Sequence, residues 1–185
     1  MFSNILVATD LTEKSVLAIR LAAKLTAQTQ GAQLTVLHVV DFPASLRDWS
    51  MPSFRKDSKL YDDLVARQVQ AAEATLRAQI DELHMSTAAA IMHPILALVR
   101  TGSPAQTIAS CADEHGVDVI IVARGKGGVL GSTAEQVVRM VGRTVLVAPV
   151  AGMRQLLKRR QNVIPFPTAK RRRSAAASSD GRSRS

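Results

Sequence analysis

The chain carries a single cysteine, Cys111, in 185 residues. That excludes an internal disulfide and suits a reducing compartment. Aromatic residues make up only 3%, which leaves few platforms for stacking the bases of a single-stranded nucleic acid. No apolar run approaches the ~20 residues of a transmembrane helix, so no membrane association is expected. The opening MFSNILVATD has no basic n-region and reads at once as a strand. No signal peptide is expected, and the expected location is cytoplasmic. The four histidines, His38, His84, His93 and His115, make no pair at metal-ligand spacing. Structural or solvent-facing roles are expected of them. Cys111 has no evident histidine partner and is expected to be a small core residue.

A charge imbalance is also missing from most of the chain. Residues 1–150 hold 14 Lys+Arg and 14 Asp+Glu, whereas residues 151–185 hold 10 Lys+Arg against Asp180 alone. The whole net charge of +9 therefore sits in the last 35 residues. A neutral body argues against a DNA-binding face on the domain itself. The expected division is an α/β domain over 1–150 and a basic tail over 151–185. The tail has Pro, Ser and Arg without an apolar period and is expected to be disordered. Its clusters, Lys158 to Arg160 and Lys170 to Arg173, suit at most a weak, salt-sensitive and sequence-blind contact with nucleic acid.

What is present is a regular alternation. The mostly apolar ILVAT (Ile5 to Thr9) predicts a buried parallel strand. Thr12 is placed to cap the next helix, Leu17, Leu21 and Leu25 recur every four residues, and Gly31 is expected to stop it. Gln33 to Val40 is rich in β-branched residues and predicts the second strand. A loop with Pro43 and Pro52 precedes a long helix from about Ser58 to about Met85. Its apolar face is Val65, Val69, Ala72, Leu76, Ile80 and Leu83. A third strand is expected at about Ile95 to Arg100. Ser103 then suits N-cap and Pro104 suits N1 of a helix that ends near Gly116. DVIIVA (Asp118 to Ala123) predicts strand four. Ser132 and Glu135 make the S-x-x-E pattern of a capping box. The helix they open ends at Gly142, and strand five is expected over Thr144 to Val150. Strands alternating with helices imply a parallel sheet covered on both faces. Ligands of such sheets bind beyond the C-terminal strand ends, at a switch point in strand order.

Two segments fall there. One is Ala8-Thr9-Asp10. The other is RGKGGVLGST, Arg124 to Thr133, with four glycines in seven positions. Small residues let backbone N–H groups close on an anion, Lys126 adds charge, and the helix that follows points its positive dipole end at the same place. A Walker P-loop is a poor fit, because that motif needs G-x-x-x-x-G-K-[ST] and Lys126 is followed by Gly127.

Four pieces in order, ILVATD, LTVLHVVD, GSPAQTIASCADEHGVDVIIV and GSTAEQVVRMVGRTVLVAPV, resemble the universal stress protein family over about residues 3–150. The resemblance implies a five-stranded parallel sheet of order 3-2-1-4-5 with helices on both faces, and a homodimer paired through the last strand. It also implies roles for particular residues. Ala8 and Thr9 would line an adenine pocket, and Val39 would contact adenine. Asp10 would face ribose and a nucleotide-bound magnesium. Ser132 and Thr133 would meet phosphates. Family members that bind ATP carry Gly, two residues, Gly, nine residues, then Gly-Ser or Gly-Thr. Gly131-Ser132 matches the final pair. The position ten before Gly131 is Ile121, inside strand four, so the spacing fails; the upstream glycine is best read as Gly125 or Gly127, with about four residues missing. Ala123 stands near the family's first glycine.

The leading expectation is therefore a stress-response binding module for ATP, or for ADP or AMP given the short loop. Ala8, Thr9, Asp10, Val39, Gly125, Lys126, Gly127, Gly128, Gly131, Ser132 and Thr133 form the expected site. A nucleotide-free dimer acting through protein contacts is the alternative. A slow ATPase is disfavoured, because no general base beyond Asp10 stands near the loop.

Overall fold

The computed structural model describes residues 2–42, 58–86, 95–125 and 130–148. Packing divides the chain into Met1–Gly152 and Met153–Ser185, and every described residue belongs to the first unit. The basic tail, and Pro149 and Val150 at the end of the expected last strand, lie outside the described residues.

Among the described residues nine elements follow one another: β1 (Asn4–Thr9), α1 (Glu13–Ala27), β2 (Gln33–Val40), α2 (Ser58–Ser86), β3 (Ile95–Thr101), α3 (Pro104–Glu114), β4 (Val119–Ala123), α4 (Ser132–Met140) and β5 (Thr144–Ala148). The strands form one sheet in the order β3-β2-β1-β4-β5, every pair parallel. This is the expected class and order.

Side chains alternate across a strand, so each central strand serves two cores. Ile5 and Val7 of β1, Leu34 and Val36 of β2 and Ile121 of β4 pack on one face against Ala18, Ile19 and Ala22 of α1 and Leu76, Ile80 and Leu83 of α2. Leu6, Leu37, Ile120 and Val122 pack on the other against Ile108, Cys111 and Ala112 of α3 and Ala134 and Val137 of α4. Ile120 and Ile121 are both fully buried. Each such side chain contributes about 1.5–3 kcal/mol on leaving water, which is why this stretch is apolar without interruption. Cys111 is buried as expected. Burial pushes its thiol up, Arg100 opposes the shift and Glu114 adds to it, so the group is an inert core thiol.

Several local expectations are corrected. α1 ends at Ala27 with Gln28 as C-cap, before Gly31, which takes a positive φ in the turn beyond. Thr12 and Ser103 do stand at N-caps, yet neither hydroxyl caps its helix. The capping box is absent: Gly131 is the N-cap of α4 and Ser132 is already helical. The first helical bond there runs from the Glu135 N–H to the Gly131 carbonyl at 2.9 Å, and the Glu135 carboxylate pairs with Arg139 one turn on. The α3 end follows the expectation. Gly116 has φ +56°, its N–H reaches the Asp113 carbonyl at 3.2 Å, and the Val117 N–H reaches Ala112 at 2.9 Å, a Schellman closure.

Asp118 lies just outside β4, and its Oδ2 accepts the backbone N–H groups of Ser3 at 2.7 Å and Asn4 at 2.9 Å. It fixes the start of β1 against β4. The two strands leave this tie in register, Ile5 beside Val119 through Ala8 beside Val122. Their C-terminal ends therefore emerge together.

Candidate functional site

From β1 the chain crosses to β2 on one side, and from β3 it returns to β4 on the other. The connections after β1 and β4 thus part company, and a crevice opens between them. A cavity of about 690 Å³ fills it, within the usual range for small-molecule sites.

The β1–α1 turn is held by a hydrogen-bond network whose directions are all determined. The Ser15 hydroxyl donates to the Thr12 carbonyl at 2.8 Å, because a carbonyl can only accept. Its one proton is then spent, so the Thr9 hydroxyl is the donor in the 2.8 Å contact with Ser15 Oγ. Thr9 Oγ1 in turn accepts the Leu11 N–H at 3.0 Å. Asp10 closes a small turn of its own, Oδ1 accepting the Thr12 N–H at 3.0 Å and the Thr12 hydroxyl at 2.6 Å. The Thr12 hydroxyl is thereby turned toward Asp10, and it makes no cap bond to the α1 N–H groups. Partial burial pushes the Asp10 carboxyl up, but the hydrogen bonds from the Thr12 hydroxyl and N–H outweigh it and hold the group below its ordinary value.

Between Asp10 and Thr12, Leu11 has φ +61°, the one non-glycine residue with positive φ among the described residues. The left-handed conformation costs a branched residue roughly 1–2 kcal/mol. Two groups brace it: Thr9 on its N–H, and Gln79 of α2, whose Nε2 donates to the Leu11 carbonyl at 2.9 Å.

β2 contributes its C-terminal end. His38 Nδ1 lies 2.8 Å from the Thr9 carbonyl. The carbonyl requires that nitrogen to carry the proton, so in the neutral ring Nε2 is an acceptor. Val39, one residue on, packs with the opposite core.

β4 and α4 supply the other wall. The Arg124 N–H bonds to the Ala148 carbonyl at 3.0 Å, extending the β4–β5 pairing one step past Ala123 before the chain turns away. A Cβ placed on Gly131 would stand 3.6 Å from the Gly125 Cα, so the two ends of the glycine loop nearly touch. The first turn of a helix leaves its N–H groups without intrahelical partners. Here those belong to Ser132, Thr133 and Ala134, all on the cavity wall.

The cavity gathers most of the expected residues. Ala8, Thr9, Asp10, Val39, Gly125, Gly131, Ser132 and Thr133 all line it. Thr9 does so with its hydroxyl already committed to the turn. Lys126, Gly127 and Gly128 lie outside the described residues. Ile121 is in β4 and fully buried, which excludes it as the counterpart of the family's upstream glycine.

Sequence reasoning missed other members of the wall: His38, Arg124, Lys14, Asp41 and Pro104. Arg124 opens the glycine-rich stretch and its position was a usable signal. His38 gave none, because its partner Thr9 is 29 residues away on the neighbouring strand. Among the described residues no cluster of three or more His, Cys, Asp or Glu is placed to hold a metal by itself. Nor is any described helix long and apolar enough to cross a membrane.

A parallel sheet of order β3-β2-β1-β4-β5 with a cavity at its switch point defines an α/β fold of the Rossmann-like kind. The universal stress protein family model matches residues 1–149. The chain belongs to that family. Among solved structures it is similar to the universal stress protein UspA from Lactobacillus plantarum, at 25% identity and a TM-score of 0.57, over 79% of this chain and 97% of that one. It is also similar to the hypothetical protein MJ0577, at 22% identity and a TM-score of 0.64, over 80% and 96% of the two chains. A third is a universal stress protein in complex with cAMP, at 21% identity and a TM-score of 0.55, over 81% and 98%. No curated protein matches the chain significantly.

Proposed function

We propose that this chain is a nucleotide-binding stress-response module that takes an adenine nucleotide at the C-terminal ends of β1, β2 and β4. The observation that carries the reading is convergence. Segments more than a hundred residues apart in sequence, Ala8 to Asp10 and Gly131 to Thr133, wall one cavity. The base would lie on the apolar side, near Ala8 and Val39. The phosphate would meet the open N–H groups of α4, where backbone donors and the helix dipole favour an anion. Arg124, next to this wall, and Lys14, from α1, add positive charge to the cavity lining. The cavity's volume and the cAMP complex of a structurally similar family member both support a nucleotide.

The near approach of Gly125 and Gly131 favours a nucleotide with few phosphates, AMP or ADP over ATP. Magnesium, where a polyphosphate brings it, would be met by Asp10. The module is read as a binding protein rather than an enzyme, since Asp10 already accepts two hydrogen bonds on one oxygen and suits an orienting role better than proton abstraction. The chain is further read as a homodimer paired through β5. Among the described residues that strand has a sheet neighbour on one side only, and its Val145, Leu146 and Val147 are only partly buried. On the adjoining α4, Val138 and Met140 stand about half exposed, at 47% and 49%. An unpaired edge beside apolar surface is a template for another strand. A contact between the basic tail and nucleic acid remains a secondary proposal, tested by DNA retention before and after removal of residues 151–185.

Calorimetric titration with AMP, ADP and ATP, each with and without magnesium, tests the nucleotide reading. Saturable heat with AMP or ADP at least as strong as with ATP is expected. No heat from any of the three at protein concentrations near 100 micromolar, enough to reveal a ~10 micromolar site, defeats it. Sedimentation equilibrium tests the dimer: a mass of one chain at that concentration rejects it.

A further inference from the structure

We propose that Gln79, on α2 and away from the cavity, is a positioning residue that holds the Asp10 turn in its binding geometry. The inference rests on the nucleotide reading above. Neither Gln79 nor Leu11 is part of the cavity wall, so neither would touch a ligand there. Leu11 is nevertheless the residue between two that are on the wall, Asp10 and Thr12. Its φ of +61° sends the chain back toward α1, so that Asp10 is left at the strand end. A leucine does not hold that conformation by preference. Its side chain packs on the α1–α2 core, its N–H is taken by Thr9, and its carbonyl is taken by Gln79 across 68 residues of sequence.

The cost on the Gln79 side makes the pairing informative. Gln79 Oε1 is buried and has no hydrogen-bond partner among the described residues. An apolar residue at this helical position, one turn after Leu76 and Thr75 and beside Ile80, would avoid that penalty and add to the core. What the amide provides in exchange is one donor to the Leu11 carbonyl. α2 thereby reaches the backbone of the turn through this hydrogen bond, beside the packing of the Leu11 side chain.

Without that donor, the turn spends most of its time with Leu11 relaxed to negative φ. A site competent about one-tenth of the time binds about tenfold more weakly. Glycine takes positive φ about as readily as negative, so with glycine at position 11 the loss of Gln79 should cost only about twofold.

The test combines Gln79→Met, Leu11→Gly and the double variant with two readouts. One is AMP affinity by calorimetry. The other is the intraresidue Hα–HN Overhauser effect at position 11, whose strength marks a positive φ. Gln79→Met is expected to weaken AMP about tenfold and to lose the strong Overhauser effect, and the double variant is expected to bind within about twofold of Leu11→Gly alone. Gln79→Glu, which keeps the shape and loses the donor, serves if Gln79→Met does not fold. Three results overturn the proposal: Leu11 relaxes while AMP affinity is unchanged, AMP weakens while Leu11 keeps its positive φ, or Gln79→Met costs as much with glycine at position 11 as with leucine. A wild-type chain that binds no AMP, ADP or ATP defeats the nucleotide reading instead. Gln79 then retains only its bracing of the turn, which the Overhauser effect still reads.

Discussion

Gly131 faces Gly125 across the mouth of the glycine loop, close enough that a Cβ on the first would stand 3.6 Å from the Cα of the second. That is ordinary van der Waals contact, and the φ of Gly131 is −68°, open to any residue. Fold and binding can therefore be separated here. Gly131→Ala should fold with a loss under about 1 kcal/mol, the scale of a changed N-cap. Gly131→Val, whose branches enter the space before the α4 N–H groups, should lose AMP binding by more than about tenfold. Thermal unfolding and calorimetry on the two variants check this. A valine variant that folds and binds as the wild type does would remove the loop from the site.

Asp10 offers a cleaner substitution than alanine. Asparagine keeps an oxygen to accept from Thr12 and preserves the turn, while the charge is lost. Asp10→Asn should leave magnesium-free AMP affinity within about twofold. It should abolish whatever increment magnesium adds to ADP or ATP. Titrations with and without magnesium on both proteins decide it; an unchanged increment would exclude Asp10 as the group that meets the metal.

Acid should expose the Asp118 tie. The backbone N–H groups of Asn4 and Ser3 hold its carboxyl below the ordinary value of 3.8, and the hydrogen bonds at Asp10 act in the same direction against partial burial. A carboxyl depressed in the folded state stabilises the fold fully above its unfolded value. It loses that contribution as pH falls through the folded one. Stability should accordingly be flat near neutrality and fall below about pH 4. In Asp118→Asn it should be lower at pH 7 and shallower in acid. Urea midpoints measured from pH 7 down to pH 2 check this, and parallel curves for the two proteins would contradict it.

Gly102, between β3 and α3, cannot be replaced as Gly131 can. Its φ is +144°, and a Cβ would meet Thr107 Oγ1 at 2.7 Å. Its N–H also bonds the Val40 carbonyl at 3.2 Å, so backbone relaxation would break a tie to β2. Gly102→Ala should cost about 1–3 kcal/mol, read from chemical denaturation. A loss below about 0.5 kcal/mol would show that the segment relaxes freely.

Much of this was legible in the sequence, for reasons that can be named. Unbroken apolar runs such as VIIVA and the three- and four-residue spacing of Ala72, Leu76, Ile80 and Leu83 report burial directly, and each of those four α2 residues is buried. Strand order rested on resemblance, because periodicity says which face is buried and nothing about which strand is next. Cap signals mislead here because position and rotamer decide them: the Thr12 hydroxyl is turned toward Asp10, and Ser132 stands one residue inside α4. His38 and Gln79 escaped because their meaning lies in carbonyls 29 and 68 residues away. The sequence pattern makes Asp118 the first residue of a strand, whereas its carboxylate acts just outside that strand on the start of β1.

The central claim is that one nucleotide bridges the β1–α1 turn and the α4 N-terminus. Amide chemical shifts recorded during an AMP titration test it most directly. The account predicts saturable shifts at Ala8, Asp10, Val39 and Gly131 to Ala134, with the largest at Ser132 and Thr133. Amides at those positions that stay still at millimolar AMP and ADP, or shifts confined to α2 and the β3 edge, would contradict it.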